Sequence, residues 1–345
     1  MLSPDKRVIL KGKLKMADYI SSFTTGFDEI IEQYLPIDLP GSKVISIYDG
    51  LVYFKYSGDY NHIKRIVYLN NTFGVIKAFK GEHLTFDMMI SVVAKAKYKY
   101  FIKSGSYRIR FSQENKFVKV DKRNILIAEK KVSQLTNLKV DRLNPSTEIW
   151  YMIRSEGVGF YAQLLFKRKA TEKKLNKGEL RPEFSHLMCC CAKIGYDDIV
   201  CDPFCGFGSI PKQLFDNFKC KKIYASDVDG EKIEQLKRGR FKNQDSISLV
   251  VEDARHLKHI CDNSVDAVIT DPPWGFFENI DNICSFYSEM LDELLRITKK
   301  RGKIVLLTAR KDEIIHVCDI KNVAISRQIN TLVNGKKAAV FIIDR

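Results

Sequence analysis

Residues 181–345 predict a doubly wound α/β sheet with one antiparallel strand, and residues 1–168 predict an α+β region of different character. Three observations carry this expectation. From 181 onward, apolar runs of strand length alternate with amphipathic helical stretches. The chain ends in "VAISRQINTLVNGKKAAVFIID", two strand-like runs joined through Asn334-Gly335, the dipeptide of a tight hairpin turn. Charge is uneven: of the net +15, residues 1–180 hold 32 Lys+Arg against 18 Asp+Glu, whereas residues 181–345 hold 25 against 24.

In the first region, "ADYISSFTTGFDEIIEQY" (17–34) reads as a strand, a Thr/Gly turn and an amphipathic helix. "KVISIYDG" and "LVYFKYSG" alternate as strands do, and "YNHIKRIVYLN" predicts a helix. Residues 84–100 have helical spacing. Strand-like pieces follow at 106–113, 116–121, 148–156 and 159–168, with a helix at 123–136. On the strand 106–113, Arg108 and Arg110 share one face, and Tyr107, Ile109 and Phe111 the other. Residues 169–180 are polar and charged, and read as a linker. In the last region, strands are expected at 198–204, 222–227, 246–253, 265–271 and 302–309, with helices between them.

Composition bounds the function class. A hydrophobic fraction of 45% suits a globular chain. No apolar run approaches the ~18 residues of a membrane span, and the N-terminus lacks the clean apolar stretch of a secretory signal. The expectation is a cytoplasmic protein with no membrane partner. All nine cysteines lie at or beyond 189 without a CxxC pair, so reduced thiols and no metal site are expected. Residues 91–180 carry 21 basic and 8 acidic residues, which points to a polyanion partner. Lys103, Arg108, Arg110, Lys119, Lys122 and Arg123 are the candidate contacts.

Chemistry concentrates at predicted strand ends. "CDPFCGFGSI" (201–210) closes a strand at Asp202 and places Gly206 and Gly208 before a helix, where backbone amides can approach a ligand. The next strand ends at Asp227, placed for ribose hydroxyls. The third ends at Asp253, placed to accept from an exocyclic amine. The fourth ends at Asp271-Pro272-Pro273-Trp274. Each feature alone has a plain reading as a cap or turn; four together on the ligand-binding edge of an open α/β sheet do not.

"DPPWG" (271–275) resembles the Asp-Pro-Pro-aromatic motif of S-adenosylmethionine-dependent methyltransferases acting on exocyclic amines. "DPFCGFGSI" is similar to the cofactor loop of RNA methyltransferases that carry a THUMP domain. "GELRP" (178–182), "TTGFDEII" (24–31) and "VDRLNPSTEIW" (140–150) resemble other segments of those enzymes, among which the tRNA guanine-N2 methyltransferases of the guanine 6 or guanine 10 type are nearest. The resemblance implies a class I methyltransferase domain at 181–345 behind a linker at 169–180. It implies a ferredoxin-like module at 1–75 and a THUMP-like RNA-binding module at 76–168. It implies S-adenosylmethionine held by Asp202, Phe204, Cys205, Gly206, Gly208, Asp227, Val228, Asp253 and Ala254. The target base is expected at Asp271, Pro272, Pro273 and Trp274, with Phe276 and Phe277 either as further wall or as core. The implied partner is tRNA or another structured RNA; a monomer is slightly favoured over an oligomer. Ser209 and Trp274 depart from the usual threonine and the commoner tyrosine or phenylalanine. N6 of adenine in DNA or ribosomal RNA is the alternative target, and a non-catalytic RNA-binding scaffold the alternative class.

Overall fold

The structure is a computed structural model describing residues 16–168, 175–275 and 281–345. The chain falls into two units. One comprises residues up to 22 together with 35–66 and 70–167; the other comprises 23–34, 67–69 and 168 onward. Phe276 and Phe277 lie outside the described residues.

The first unit is built on a nine-stranded sheet: β1 (Ala17–Ser22), β2 (Ser42–Tyr48), β3 (Leu51–Tyr56), β4 (Thr72–Lys80), β5 (Ser104–Gln113), β6 (Lys116–Phe117), β7 (Asn137–Val140), β8 (Thr147–Ile153) and β9 (Val158–Phe166), in the order β2-β3-β1-β4-β9-β8-β5-β6 with β7 beside β5. A boundary at 75/76 therefore falls inside β4, which pairs with both β1 and β9. "YNHIKRIVYLN" forms only a 3-10 turn over Tyr60–Arg65, opened by the Asp59 side chain accepting from the Asn61 N–H. The strand expected over 116–121 shrinks to Lys116–Phe117, because Asp121 caps the following helix and ends the pairing.

After α1 (Asp28–Asp38), α2 (Phe86–Lys95) starts where Thr85 Oγ1 accepts from the Met88 N–H, and it buries Phe86, Met89, Ile90 and Val93, one face of a 3.6-residue period. α3 (Lys122–Leu135) buries Ala128 and Val132. Both pack on the sheet face that carries Tyr107, Phe111, Ile149, Tyr151 and Tyr161. The predicted alternation along β5 holds: Tyr107 and Phe111 are buried, and Arg108 and Arg110 are not.

The second unit holds β10 (Ile199–Asp202), β11 (Lys222–Asp227), β12 (Ile247–Val251), β13 (Val265–Thr270), β14 (Thr298–Thr308), β15 (Ile325–Val333) and β16 (Lys336–Asp344), ordered β12-β11-β10-β13-β14-β16-β15. The first five are parallel, and β16 runs antiparallel to both β14 and β15. The two-residue turn between β15 and β16 has Asn334 and Gly335 at φ 49° and 79°, the left-handed pair a tight hairpin needs. The order reverses at β10, whose neighbours β11 and β13 lie on opposite sides. The sheet's switch point is therefore at the C-terminal end of β10.

Helices cover this sheet: α4 (Pro182–Ala192), α5 (Ser209–Gln213) running into a π-helical turn at Leu214–Phe218, α6 (Gly230–Arg238), α7 (Ile283–Ile297) and α8 (Lys311–Ile320). α7 buries Tyr287, Met290, Leu291, Leu294 and Ile297 against β13 and β14. Each such side chain contributes about 1.5–3 kcal/mol by leaving water, which fixes the sheet edge on which the site stands. Residues 23–34 also belong to this unit. Phe27 meets Phe184 of α4 edge-on at 5.4 Å, and the Thr331 hydroxyl donates to the Thr25 carbonyl at 3.0 Å.

Candidate active site

The loop after β10 is tied to its neighbours by backbone bonds. Cys205 N–H donates to the Ser226 carbonyl at 2.9 Å, and Gly208 N–H to the Cys205 carbonyl at 2.7 Å. Gly206 and Gly208 both have positive φ, 51° and 82°. Their surroundings differ. A Cβ at Gly208 would lie 2.7 Å from Leu236 Cδ2, whereas one at Gly206 would meet nothing within 4 Å. Gly208 is required by packing against α6; Gly206 borders open space on the ligand edge.

Asp227, at the end of β11, is nearly buried, and both of its carboxylate oxygens accept backbone N–H groups: Gly206 to Oδ2 and Asp229 to Oδ1, each at 2.9 Å. It joins the glycine loop to the second strand end. Val228 beside it is 68% exposed, an apolar side chain facing solvent on this edge. After β12, Asp253 accepts from the Arg255 backbone and guanidinium, which hold its carboxyl below the usual carboxylate range. The Arg255 guanidinium also lies over the Phe286 ring at 5.4 Å, and Phe204 stands 6.0 Å from that ring. Ala254 is buried.

Asp202 is 1% exposed. It accepts from the Thr270 hydroxyl at 3.0 Å and from the Phe204 N–H at 3.3 Å. Burial pushes its pKa up to about 7; those two donors pull it down and the charge of Asp227 adds to the rise. Its bond to Thr270 links the end of β10 to the end of β13, one residue before Asp271. Asp202 thus ties the glycine loop to the end of β13.

The Asp271–Trp274 turn leaves the sheet at that point. Pro272 is buried; Asp271, Pro273 and Trp274 are half-buried. The Trp274 Nε1–H donates to Asp271 Oδ1 at 3.0 Å. Two further residues hold the turn from behind. The Tyr287 hydroxyl, on α7, donates to the Pro273 carbonyl at 3.1 Å and lies 2.8 Å from Thr308 Oγ1. Arg310 Nε donates to the Trp274 carbonyl at 2.7 Å, while the Arg310 N–H donates to Thr308 Oγ1. Burial raises the Tyr287 phenol far above its ordinary value, so it remains a donor across the physiological range. Sequence reasoning missed Tyr287, Thr308 and Arg310. The fifth strand end, "LLTAR", obeys the same edge rule as the other four and points to Thr308 and Arg310; Tyr287 is one apolar-face residue among several on α7 and carries no local signal.

The basic candidates belong to the other unit. Lys103, Lys119, Lys122 and Arg123 are exposed. Arg108 and Arg110 both engage Glu148: Arg108 Nε donates to its Oε1 at 2.6 Å, and Arg110 Nε stands 3.7 Å away. The Arg110 guanidinium also lies 4.9 Å over the exposed Phe117 ring. All nine cysteines are free thiols. Burial raises the Cys189 and Cys201 thiols far above their ordinary range. Among the described residues no group of three or more His, Cys, Asp or Glu is placed to hold a metal ion, and no helix is long and apolar enough to cross a membrane.

Comparison with known proteins gives a consistent result. Residues 169–337 match the model of the UPF0020 family, described as "RMKL-like, methyltransferase domain". The chain is 23% identical over 287 residues to a tRNA (guanine(10)-N2)-dimethyltransferase of Methanocaldococcus jannaschii, covering 73% of this chain and 79% of that one. It is 27% identical over 118 residues to the enzyme of the same name from Methanothermobacter thermautotrophicus, covering 33% and 34%. TrmN from Thermus thermophilus superposes with a TM-score of 0.77 at 17% identity, over 96% of this chain and 100% of that one. A possible methylase from Clostridium difficile 630 follows at a TM-score of 0.69 and 17% identity, covering 95% and 98%. These superpositions show a shared fold. The glycine loop and the Asp-Pro-Pro-Trp turn thus stand within residues 169–337, the stretch that matches the RMKL-like methyltransferase domain.

Proposed function

We propose that this protein methylates the exocyclic N2 amino group of a guanine in tRNA. The observation that carries the reading is the Asp271-Pro272-Pro273-Trp274 turn standing one strand from the glycine loop, with Thr270 bonded to Asp202 across the gap. The names of the two archaeal relatives support the choice of amine and of RNA.

The residues present fit S-adenosylmethionine. Gly206 borders open space on this edge, and its N–H group and that of Asp229 fix the Asp227 carboxylate where ribose hydroxyls would lie. Val228 offers apolar contact to the adenine ring, and Asp253, already bonded to Arg255, an acceptor for its amine. Phe204, Cys205, Gly208 and Ala254 shape the loop and wall around it. When bound, the cofactor supplies a sulfonium methyl group.

The chain's own residues supply orientation and charge. A guanine amine is a weak nucleophile because its lone pair is delocalised into the ring. Asp271 and the Pro272 carbonyl accept its N–H groups, turn the lone pair out of conjugation and favour the positive charge that grows on nitrogen. The prolines lock φ and add no competing N–H donor. The Trp274 face stacks on the base, worth about 1–3 kcal/mol, against the few kcal/mol of extruding it. The N–H proton leaves once nitrogen is cationic, through its bond to Asp271.

The basic first unit is read as ferredoxin-like and THUMP-like modules that hold structured RNA through exposed Lys103, Lys119, Lys122 and Arg123, with Arg108 and Arg110 beside them, in a cytoplasmic enzyme. Incubation with labelled S-adenosylmethionine and total small RNA, followed by digestion to nucleosides, tests the reading. Label in N2-methylguanosine is expected; label in N6-methyladenosine sinks it.

A further inference from the structure

Trp274 closes the Asp271-Pro272-Pro273-Trp274 turn, three residues after the carboxylate. An indole offers what phenylalanine lacks, an N–H donor on the ring itself. Here that donor is engaged: Nε1–H reaches Asp271 Oδ1 at 3.0 Å, three residues back along the turn. The same residue's carbonyl accepts from Arg310 Nε at 2.7 Å. Trp274 is thus held at its backbone and at the tip of its ring, and both bonds lie in half-buried surroundings that shield them from water.

We propose that the Trp274 indole N–H is the positioning donor for Asp271, setting the carboxylate's rotamer and joining acceptor and stacking face into one rigid unit. The inference rests on the methyl-transfer reading above. A free aspartate turns about two side-chain bonds, and an acceptor that must be oriented anew for each base loses rate in doing so. A charge-assisted bond from the ring removes that freedom before the base arrives. The same bond sets the plane of the ring, so a base stacked on Trp274 presents its amine at a fixed height relative to Asp271. Tyrosine carries its donor at the far end of the ring, and phenylalanine carries none. At this position the tryptophan therefore adds a function to the stacking shared by all three.

Two variants of the full chain separate this role from stacking. Trp274→Phe keeps an aromatic face. Replacement of Trp274 by benzothienylalanine keeps the bicyclic shape and exchanges only the N–H for sulfur. With unmodified tRNA and labelled S-adenosylmethionine, both are expected to lower kcat about tenfold, the scale of one lost charge-assisted hydrogen bond. KM for RNA and cofactor Kd should stay within twofold of the parent, and melting temperature within several °C, the scale of that one bond. A wild-type kcat in the benzothienyl variant overturns the inference, as does a rise in KM at constant kcat, which would leave Trp274 a stacking residue only. Absence of transfer by the unaltered chain is a separate result, and it removes the methyl-transfer reading together with the inference.

Discussion

The ligand edge of the second sheet and the basic face of the first unit use charge in opposite ways. On the edge, each carboxylate is fixed by named partners: Asp227 by two backbone N–H groups, Asp253 by Arg255, Asp202 by Thr270 and Phe204, Asp271 by Trp274. On the basic face, Lys103, Lys119, Lys122 and Arg123 are exposed to solvent, with positive charge spread over a surface. The difference teaches where single substitutions will matter. A fixed constellation fails when one member is lost, whereas a diffuse field fades in proportion to the charges removed.

The sharpest way to break the comparison is at Asp271. Asp271→Ala is expected to lower transfer by about a thousandfold, in line with the loss of a group that orients and stabilises a transition state, with cofactor affinity within a few-fold of the parent in calorimetry. Loss of cofactor binding instead would move Asp271 to the cofactor side of the site. Asp227→Ala comes next. It removes the acceptor for Gly206 and Asp229 as well as the proposed ribose contact, and cofactor Kd should weaken about 10- to 100-fold, one or two hydrogen bonds to a charged group. An unchanged Kd would leave Asp227 a purely structural tie between loop and strand.

This contrast also governs how much was legible in sequence. The parallel strands, the reversed last strand and the Asn334-Gly335 hairpin follow from local apolar periodicity and turn chemistry. The site's first four strand ends were legible because each motif is contiguous, so that Gly206, Gly208 and Asp271–Trp274 declare their backbone needs in a few residues. Tyr287 and Arg310 were not, because their role is created by tertiary contact: a helix face and a fifth strand end converge on two carbonyls of a turn distant in sequence. The Arg108 and Arg110 pairing with Glu148 was hidden for the same reason, since it depends on β5 and β8 lying side by side. Asp202, expected as a cofactor residue, is 1% exposed and bonded to Thr270 and Phe204, contacts that no local motif declares.

On the basic face, removing Lys103, Lys119, Lys122 and Arg123 together is expected to weaken tRNA binding about tenfold. The salt dependence of log K should flatten by up to about three, close to 0.7–0.9 for each phosphate that the protein no longer neutralises. Fluorescence anisotropy across a potassium chloride series reads both. Each single substitution should cost only a few-fold. Arg108→Ala should do less to RNA affinity than Lys122→Ala, because the Arg108 guanidinium already neutralises Glu148. An RNA affinity unmoved by all four changes would take this surface out of the binding reaction.

Asp202 offers the finest test, since it is the edge carboxylate that the fold hides. Its folded pKa is raised, to about 7 from an ordinary 3.8, with burial the main cause. The native state therefore holds its proton more tightly than the unfolded chain. The stability this confers is complete below about pH 4 and is lost as pH rises toward 7, after which the penalty of ionising a buried carboxyl is constant. Asp202→Asn keeps an acceptor for the Thr270 hydroxyl and removes the titration. Relative to wild type, the variant's melting temperature should climb by a few °C between pH 5 and pH 8, at roughly 2–4 °C for each kcal/mol in a domain of this size, and stop climbing above pH 8. Parallel curves for the two proteins across that range would mean that Asp202 ionises freely in the native state. The distinction between Asp202 and Asp227, the proposed ribose contact, would then be lost.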